Sequence, residues 1–158
     1  MDYKRDLERA LTHLTDKGAF LTVKSGDKTN TMTVSWGYVG FMWQKPYFIA
    51  LVRPQRYTRK LLNDATSFTI SVPYDSLVKE LAVCGSKSGA DFDKSQVVKF
   101  APAKTVDGAV VEGCDRYYEC AINYAQDLNA DDLPGPIVAS VYNGDYHKLF
   151  FGEIVDNY

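Results

Sequence analysis

Four basic residues fall within eight positions at Arg53-Pro54-Gln55-Arg56-Tyr57-Thr58-Arg59-Lys60, in a chain whose net charge is −2. An apolar, β-branched run precedes this segment and Leu61-Leu62 follows it, so a strand leads in and a short helix leads out. Thr58 stands where an N-cap would, its hydroxyl able to accept from exposed backbone N–H groups. Such a junction gathers free N–H groups, the positive end of a helix dipole and guanidinium groups at one place. Guanidinium forks match phosphate oxygens two at a time, so a phosphate is the natural guest. A solvated basic turn at a helix start would have the same composition.

Two further stretches carry chemistry. Cys84-Gly85-Ser86-Lys87-Ser88-Gly89, with Asp91-Phe92-Asp93-Lys94 behind it, combines residues that let a backbone approach an anion closely. It is neither a G-x-x-x-x-G-K-[ST] loop nor a G-x-G-x-x-G fingerprint, so nucleoside triphosphates and a Rossmann fold find no support. It would also serve as a helix end and flexible turn. In Asn30-Thr31-Met32-Thr33-Val34-Ser35-Trp36, a strand would turn Met32, Val34 and Trp36 one way and Thr31, Thr33 and Ser35 the other. A half-apolar, half-hydroxyl strand suits a flat ring that needs stacking and edge hydrogen bonds. An ordinary barrel strand with a polar outer face fits it equally.

The elements that must position these residues begin with a helix. Asp2 to Lys17 spaces Leu7, Ala10, Leu11 and Leu14 helically, and Gly18 supplies a stop. His13 falls off that apolar face and is expected to be solvated. Strands are expected at Ala19–Lys24, Thr31–Trp36, Tyr47–Val52, Phe68–Val72 and Tyr117–Ala125. In the last of these Tyr118, Cys120, Ile122 and Tyr124 share a face. A second short helix, capped by Asp75 or Ser76, carries Leu77, Leu81 and Ala82 to Gly85. Beyond Pro134-Gly135-Pro136, Ile137–Tyr142 and Leu149–Val155 read as a last pair of strands around Asn143-Gly144-Asp145. Seven or so short strands with small helices at the connections indicate a mainly β protein, a closed barrel.

Length and composition bound the rest. The 158 residues suit one domain spanning 1–158, with 1–17 as its N-terminal helix, and 46% hydrophobic with 24% charged residues exclude disorder. Eighteen basic against twenty acidic residues argue against a nucleic-acid or anionic-membrane binder. No apolar run reaches the roughly 18 residues of a membrane span, and Met1 to Arg9 is too charged for a secretory signal. Cys84, Cys114 and Cys120 are odd in number and widely spaced, and the chain has only two His. They read as small buried hydrophobes in a reducing cytoplasm, not as a metal site.

Taken in order, the motifs Asn30–Trp36, Arg53–Thr58, Phe68–Pro73 and Cys84–Lys94 resemble the flavin reductase-like family, and its flavoredoxin-type members most. Phe151-Gly152-Glu153-Ile154-Val155 resembles the last strand of that family, and the likeness weakens between Val97 and Tyr117. The resemblance implies an FMN-binding split β-barrel of Greek-key type with a few short helices. It implies that Arg53, Arg56, Tyr57 and Thr58 hold the FMN phosphate, with Gly85, Ser88 and Lys94 from the following loop. It further implies that Asn30, Thr31, Met32, Thr33, Val34, Ser35 and Trp36 run beside the isoalloxazine, and that two chains form a homodimer. Chemistry would then belong to FMN, fed by NADH, NADPH or a redox protein, with no side chain needed as a general acid. Many relatives carry Gly-Asp-His near the last hairpin, where this chain has Gly144-Asp145-Tyr146-His147. The extra residue turns His147 to the other face of a hairpin, toward solvent, with a place on the substrate side as the alternative. Three functions follow from the resemblance: a flavin reductase, a flavoredoxin-like electron carrier with little NAD(P)H activity, or a barrel that has lost its flavin.

Overall fold

The computed structural model describes residues 2–158; Met1, included in the expected N-terminal helix, lies outside them. In chain order the elements are α1 (Leu7–Asp16), β1 (Ala19–Ser25), β2 (Lys28–Val34), β3 (Gly37–Met42), β4 (Lys45–Val52), α2 (Tyr57–Leu62) and β5 (Ser67–Val72). They continue with α3 (Val78–Ser86), β6 (Phe100–Pro102), β7 (Ala109–Val111), β8 (Arg116–Asp127), α4 (Gly135–Val141) and β9 (Lys148–Asn157). Seven strands form one antiparallel sheet in the order β2-β1-β5-β8-β9-β4-β3, and β6 and β7 pair separately.

The expected barrel is split. Its two edge strands, β2 and β3, are consecutive in the chain and joined only by Ser35-Trp36. Just before β3, where the chain leaves one edge of this seam for the other, the Leu51 N–H donates to the Trp36 carbonyl at 3.3 Å and extends the β3–β4 ladder by one residue. Inside the sheet lies an apolar core that includes Leu21, Val23, Met32, Val34, Phe48, Phe68, Ile70, Tyr118, Cys120 and Phe150, closed below by Ala10 and Leu14 of α1. On the other side of β1 and β2, Phe20, Leu81 and Cys84 form a smaller cluster under α3.

Several sequence expectations are corrected. Ile137–Tyr142 is not a strand, because Gly135–Val141 forms a helix with Pro at its first turn, where a fixed φ and a missing N–H cost nothing. Asn143-Gly144-Asp145 therefore links a helix to β9 and is not a hairpin. Strand β3 was not foreseen; its two-residue connection to β4, Trp43-Gln44, has φ of 50° and 60°. Both residues are left-handed, as a tight hairpin requires, without the Asn-Gly pair that usually announces one. His13 is buried, not solvated: its Nδ1 lies 2.9 Å from the Gly18 carbonyl and its Nε2 meets the Tyr74 carbonyl. The loop bearing Tyr74 covers the side of α1 that its own periodicity leaves polar. Neither short helix has a side-chain cap. Arg56 occupies the cap position of α2 and a left-handed Leu77 that of α3, while Ser76 Oγ donates to the Pro73 carbonyl at 2.8 Å.

Strand β8 carries a bulge. Ile122 pairs with Gly152 and Tyr124 with Phe151, so Asn123 is an extra residue. Cys120 and Ile122 face the core, Tyr124 is thrown outward, and Ala125 takes the inward place against the core. Tyr124 thus does not share the face of Tyr118, Cys120 and Ile122. Cys84 and Cys120 are buried and Cys114 is half-buried, all with free thiols.

Candidate functional site

Strand β2, the start of α2 and the loop after α3 converge beside the seam. Asn30 and Met32 point from β2 toward α2, and Asn30 Nδ2 donates to Thr58 Oγ1 at 2.9 Å. Thr58 is fully buried, so its hydroxyl ties helix to strand and does not cap the helix. Against this pair lies Gly89. A Cβ there would overlap the Asn30 side-chain oxygen and sit 2.8 Å from Tyr57 Cδ1, so only glycine brings the loop this close.

The convergence encloses a cavity of about 120 Å³ lined by Gln55, Arg56, Tyr57 and Thr58 on one side and Ser86, Lys87, Ser88, Gly89 and Lys94 on the other. Three cations and no carboxylate line it. Lys94 is 3% exposed, its Nζ donating to the Cys84 carbonyl at 2.8 Å. Arg56 donates to the Gly85 carbonyl at 2.7 Å and to the Cys84 carbonyl at 3.3 Å. Burial pulls the pKa of both cations below their ordinary values. An anion received here meets two desolvated positive charges held by backbone carbonyls, where attraction is stronger than at the surface.

A second cavity of about 200 Å³ adjoins the first through Met32 and Arg56. It is lined by Thr33, Val34, Ser35, Trp36, Leu51, Arg53 and His147, and it occupies the seam of the barrel. His147 is only 6% exposed and its ring lies 4.8 Å from that of Trp36. Its Nδ1 is 2.8 Å from the Tyr142 hydroxyl. Burial first, and then the Arg53 charge, push its pKa down to about 4. Arg53 is paired with Asp145 and also donates to the Val141 carbonyl at 3.1 Å. Asp145 accepts further from Asn143 N–H at 2.9 Å and Gln55 Nε2 at 3.1 Å, and these bonds hold its carboxyl well below the usual range.

Most of the residues expected from the sequence come together here. Asn30, Met32, Arg56, Tyr57, Thr58, Ser88 and Lys94 line the cationic cavity; Thr33, Val34, Ser35, Trp36 and Arg53 line the seam. Three expectations are corrected. Thr31 faces away from both cavities and accepts from Thr22 Oγ1 at 2.9 Å within the sheet. Gly85 lines neither cavity and contributes a carbonyl to Arg56. His147 faces the seam, not solvent, because α4 and not a hairpin precedes it. The basic cluster itself is divided, for Arg53 pairs with Asp145 and Arg59 with Asp127 at 3.0 Å, leaving Arg56 alone to reach the cationic cavity. Gln55, Ser86, Lys87 and Gly89 line the cationic cavity in addition to the expected residues, and all four lie inside the motifs. Gly89→Ala is expected to lower affinity for the anion about tenfold by displacing Asn30, with the circular dichroism spectrum unchanged; calorimetric titration measures it.

The fold is thus a split antiparallel barrel with a cationic cavity beside its seam. Residues 12–158 match the flavin reductase like domain, and the chain belongs to that family. Among solved structures, an FMN-binding protein from Thermus thermophilus with bound 1-cyclohex-2-enone is 24% identical, covering 89% of this chain and 68% of its own, with a TM-score of 0.71. Flavoredoxin from Methanosarcina acetivorans is 22% identical over 90% of this chain and 67% of its own, again at 0.71. A Streptomyces globisporus NADH:FAD oxidoreductase is 18% identical over 98% of this chain and 82% of its own, at 0.69. Among the described residues, no helix is long and apolar enough to cross a membrane.

Proposed function

We propose that the chain is an FMN-dependent oxidoreductase of the flavin reductase type, moving electrons from NADH, NADPH or a protein donor to a flavin or another acceptor. One observation carries this reading: a small cationic cavity opens directly into a larger one walled by a strand end and an indole. The first suits a monophosphate, and Gly89 leaves there the space that a side chain would fill. The second suits a flat ring. Bound FMN would supply the redox chemistry, since a flavin ring accepts hydride or single electrons.

The chain's own residues would bind and orient. Arg56, Lys94 and Ser88 would take the phosphate, with Tyr57 and Thr58 as the wall. Met32 to Trp36 would flank the ring with backbone groups and the Thr33 and Ser35 side chains, although Thr33 Oγ1 already donates to the Leu81 carbonyl at 2.6 Å. Trp36 and His147 would limit water at the outer side. Tyr142 holds His147 by Nδ1, which leaves Nε2 for the cavity.

A second reading, a flavoredoxin-like electron carrier, is favoured by the Arg53–Asp145 pair. With that guanidinium neutralised, the seam offers the pyrophosphate of a pyridine dinucleotide one cation fewer. We further propose a homodimer, supported by the aromatics on the β3 edge and the bulge: Phe41 is 66% exposed, Trp43 60%, and Tyr38 and Tyr124 nearly half. A reducing cytoplasmic setting accords with the three free thiols.

The test is an absorption spectrum of the purified protein with added FMN, followed by anaerobic NADH and NADPH. Prompt bleaching supports the reductase. A flavin spectrum that persists until a reduced redox protein is added supports the carrier, and failure to bind FMN overturns both.

A further inference from the structure

Asn143-Gly144 is the one Asn-Gly pair in the chain, and it lies in the link between α4 and β9, lining neither cavity. Both residues are exposed and belong to no helix or strand. Among the described residues the Asn143 side chain and the Gly144 N–H make no hydrogen bond, whereas the Asn143 N–H donates to Asp145 Oδ1 at 2.9 Å. Gly144 has a φ of 75°, and nothing lies within 4 Å of the place a Cβ would take there. With no Cβ beside it, the Gly144 nitrogen can swing onto the Asn143 side chain. Every other asparagine is followed by a residue whose side chain obstructs that approach.

We propose that Asn143 is a modification site, where spontaneous deamidation converts an amide to a carboxylate at the edge of the seam. The Gly144 backbone nitrogen, losing its proton to solvent base, attacks the side-chain carbonyl carbon of Asn143. A C–N bond forms to close a cyclic succinimide, the bond to the side-chain nitrogen breaks, and ammonia leaves with the proton. Water then opens the ring at either carbonyl, giving Asp or isoAsp. One water is consumed and one ammonia released, with no change in oxidation state. The new charge falls beside the pair that closes the seam, for Arg53 is paired with Asp145 and its guanidinium lies 5.8 Å from the Trp36 ring centroid. A second carboxylate two residues from Asp145 shares that one guanidinium and leaves the mouth of the seam with negative charge in excess. In isoAsp the main chain is also one atom longer between the N–H that holds Asp145 and Asp145 itself, which slackens the pair. The seam thereby loses affinity for anionic ligands, while the cationic cavity, walled by Arg56 and Lys94, keeps its charge.

Peptide mass mapping of the folded chain after storage in warm, mildly alkaline buffer tests the site. The peptide holding Asn143 is expected to convert to Asp and isoAsp about tenfold faster than any other asparagine-bearing peptide. The isoAsp fraction should accept a methyl group from an isoaspartyl methyltransferase, and Asn143→Ser should abolish the conversion. Conversion no faster than elsewhere overturns the proposal. So does an amide that survives in the folded chain but is lost in urea, which would show a link too rigid to close the ring. Asn143→Asp supplies the charge at once. In a Trp43→Phe background, where Trp36 is the remaining tryptophan, it is expected to reduce fluorescence quenching by iodide roughly twofold, the size of one added charge a few ångströms away in water. Quenching by neutral acrylamide should not change. Equal iodide quenching in the two chains would overturn the placement of the new charge at the seam.

Discussion

Replacing Lys94 with methionine is expected to weaken FMN binding about a hundredfold and to leave riboflavin binding unchanged. A charge-assisted hydrogen bond to phosphate is worth up to about 3 kcal/mol, and each 1.4 kcal/mol is a factor of about ten. The side chain is almost wholly buried, its ammonium rests on a carbonyl, and no carboxylate lines the cavity to compensate it. Methionine keeps most of the stem and removes the charge. A buried ammonium without a counterion is a cost, which is why burial lowers its pKa. The variant without ligand should therefore melt no lower than the parent, while FMN should raise its melting temperature less. Calorimetry with FMN and riboflavin separates phosphate from ring. Equal losses for the two ligands would show that Lys94 acts by shaping the cavity.

The second large effect is acid sensitivity centred on His147. Its pKa is pushed down to about 4 in the folded chain, against the ordinary 6.5. Above pH 6.5 the imidazole is neutral in both states and contributes nothing to the pH dependence. As pH falls from 6.5 to 4, the unfolded chain takes up a proton that the folded chain refuses, so stability is lost across that window. A shift of this size corresponds to about 3 kcal/mol. Urea unfolding of the parent and of His147→Gln at pH 7 and at pH 4.5 should show the parent losing about 2–3 kcal/mol more than the variant. Equal losses would mean that the ring is protonated in place.

The site was legible because its motifs are short and contiguous: Asn30 to Trp36 is a strand end, Arg53 to Thr58 a turn into a helix, and Cys84 to Lys94 a helix end with its loop. What stayed hidden depends on packing between distant segments. The division of the basic cluster follows from Asp145 and Asp127, which lie far along the chain. His147 was assigned to solvent because Ile137–Tyr142, rich in β-branched residues, reads as strand; the signal that could have corrected it is Pro136 at the start of the run. Strand β3 escaped because Trp43 and Gln44 adopt a conformation that sequence usually marks with glycine or asparagine. Thr31 and Thr33 alternate as expected with Met32 and Val34, but a second layer, α3, covers the threonine side, and no single strand reveals that.

The extra residue at Asn123 divides β8 into two lengths of opposite parity, each correct only relative to the other. Deleting Asn123 would leave plain alternation, with Tyr124 still outward against Phe151 and Ala125 still inward beside Phe150. Straightening the strand with Asn123 kept would instead drive Tyr124 into the place that alanine fills and away from Trp43. In this part of the chain, therefore, a strand one residue shorter keeps every face, and a straight strand of full length loses them.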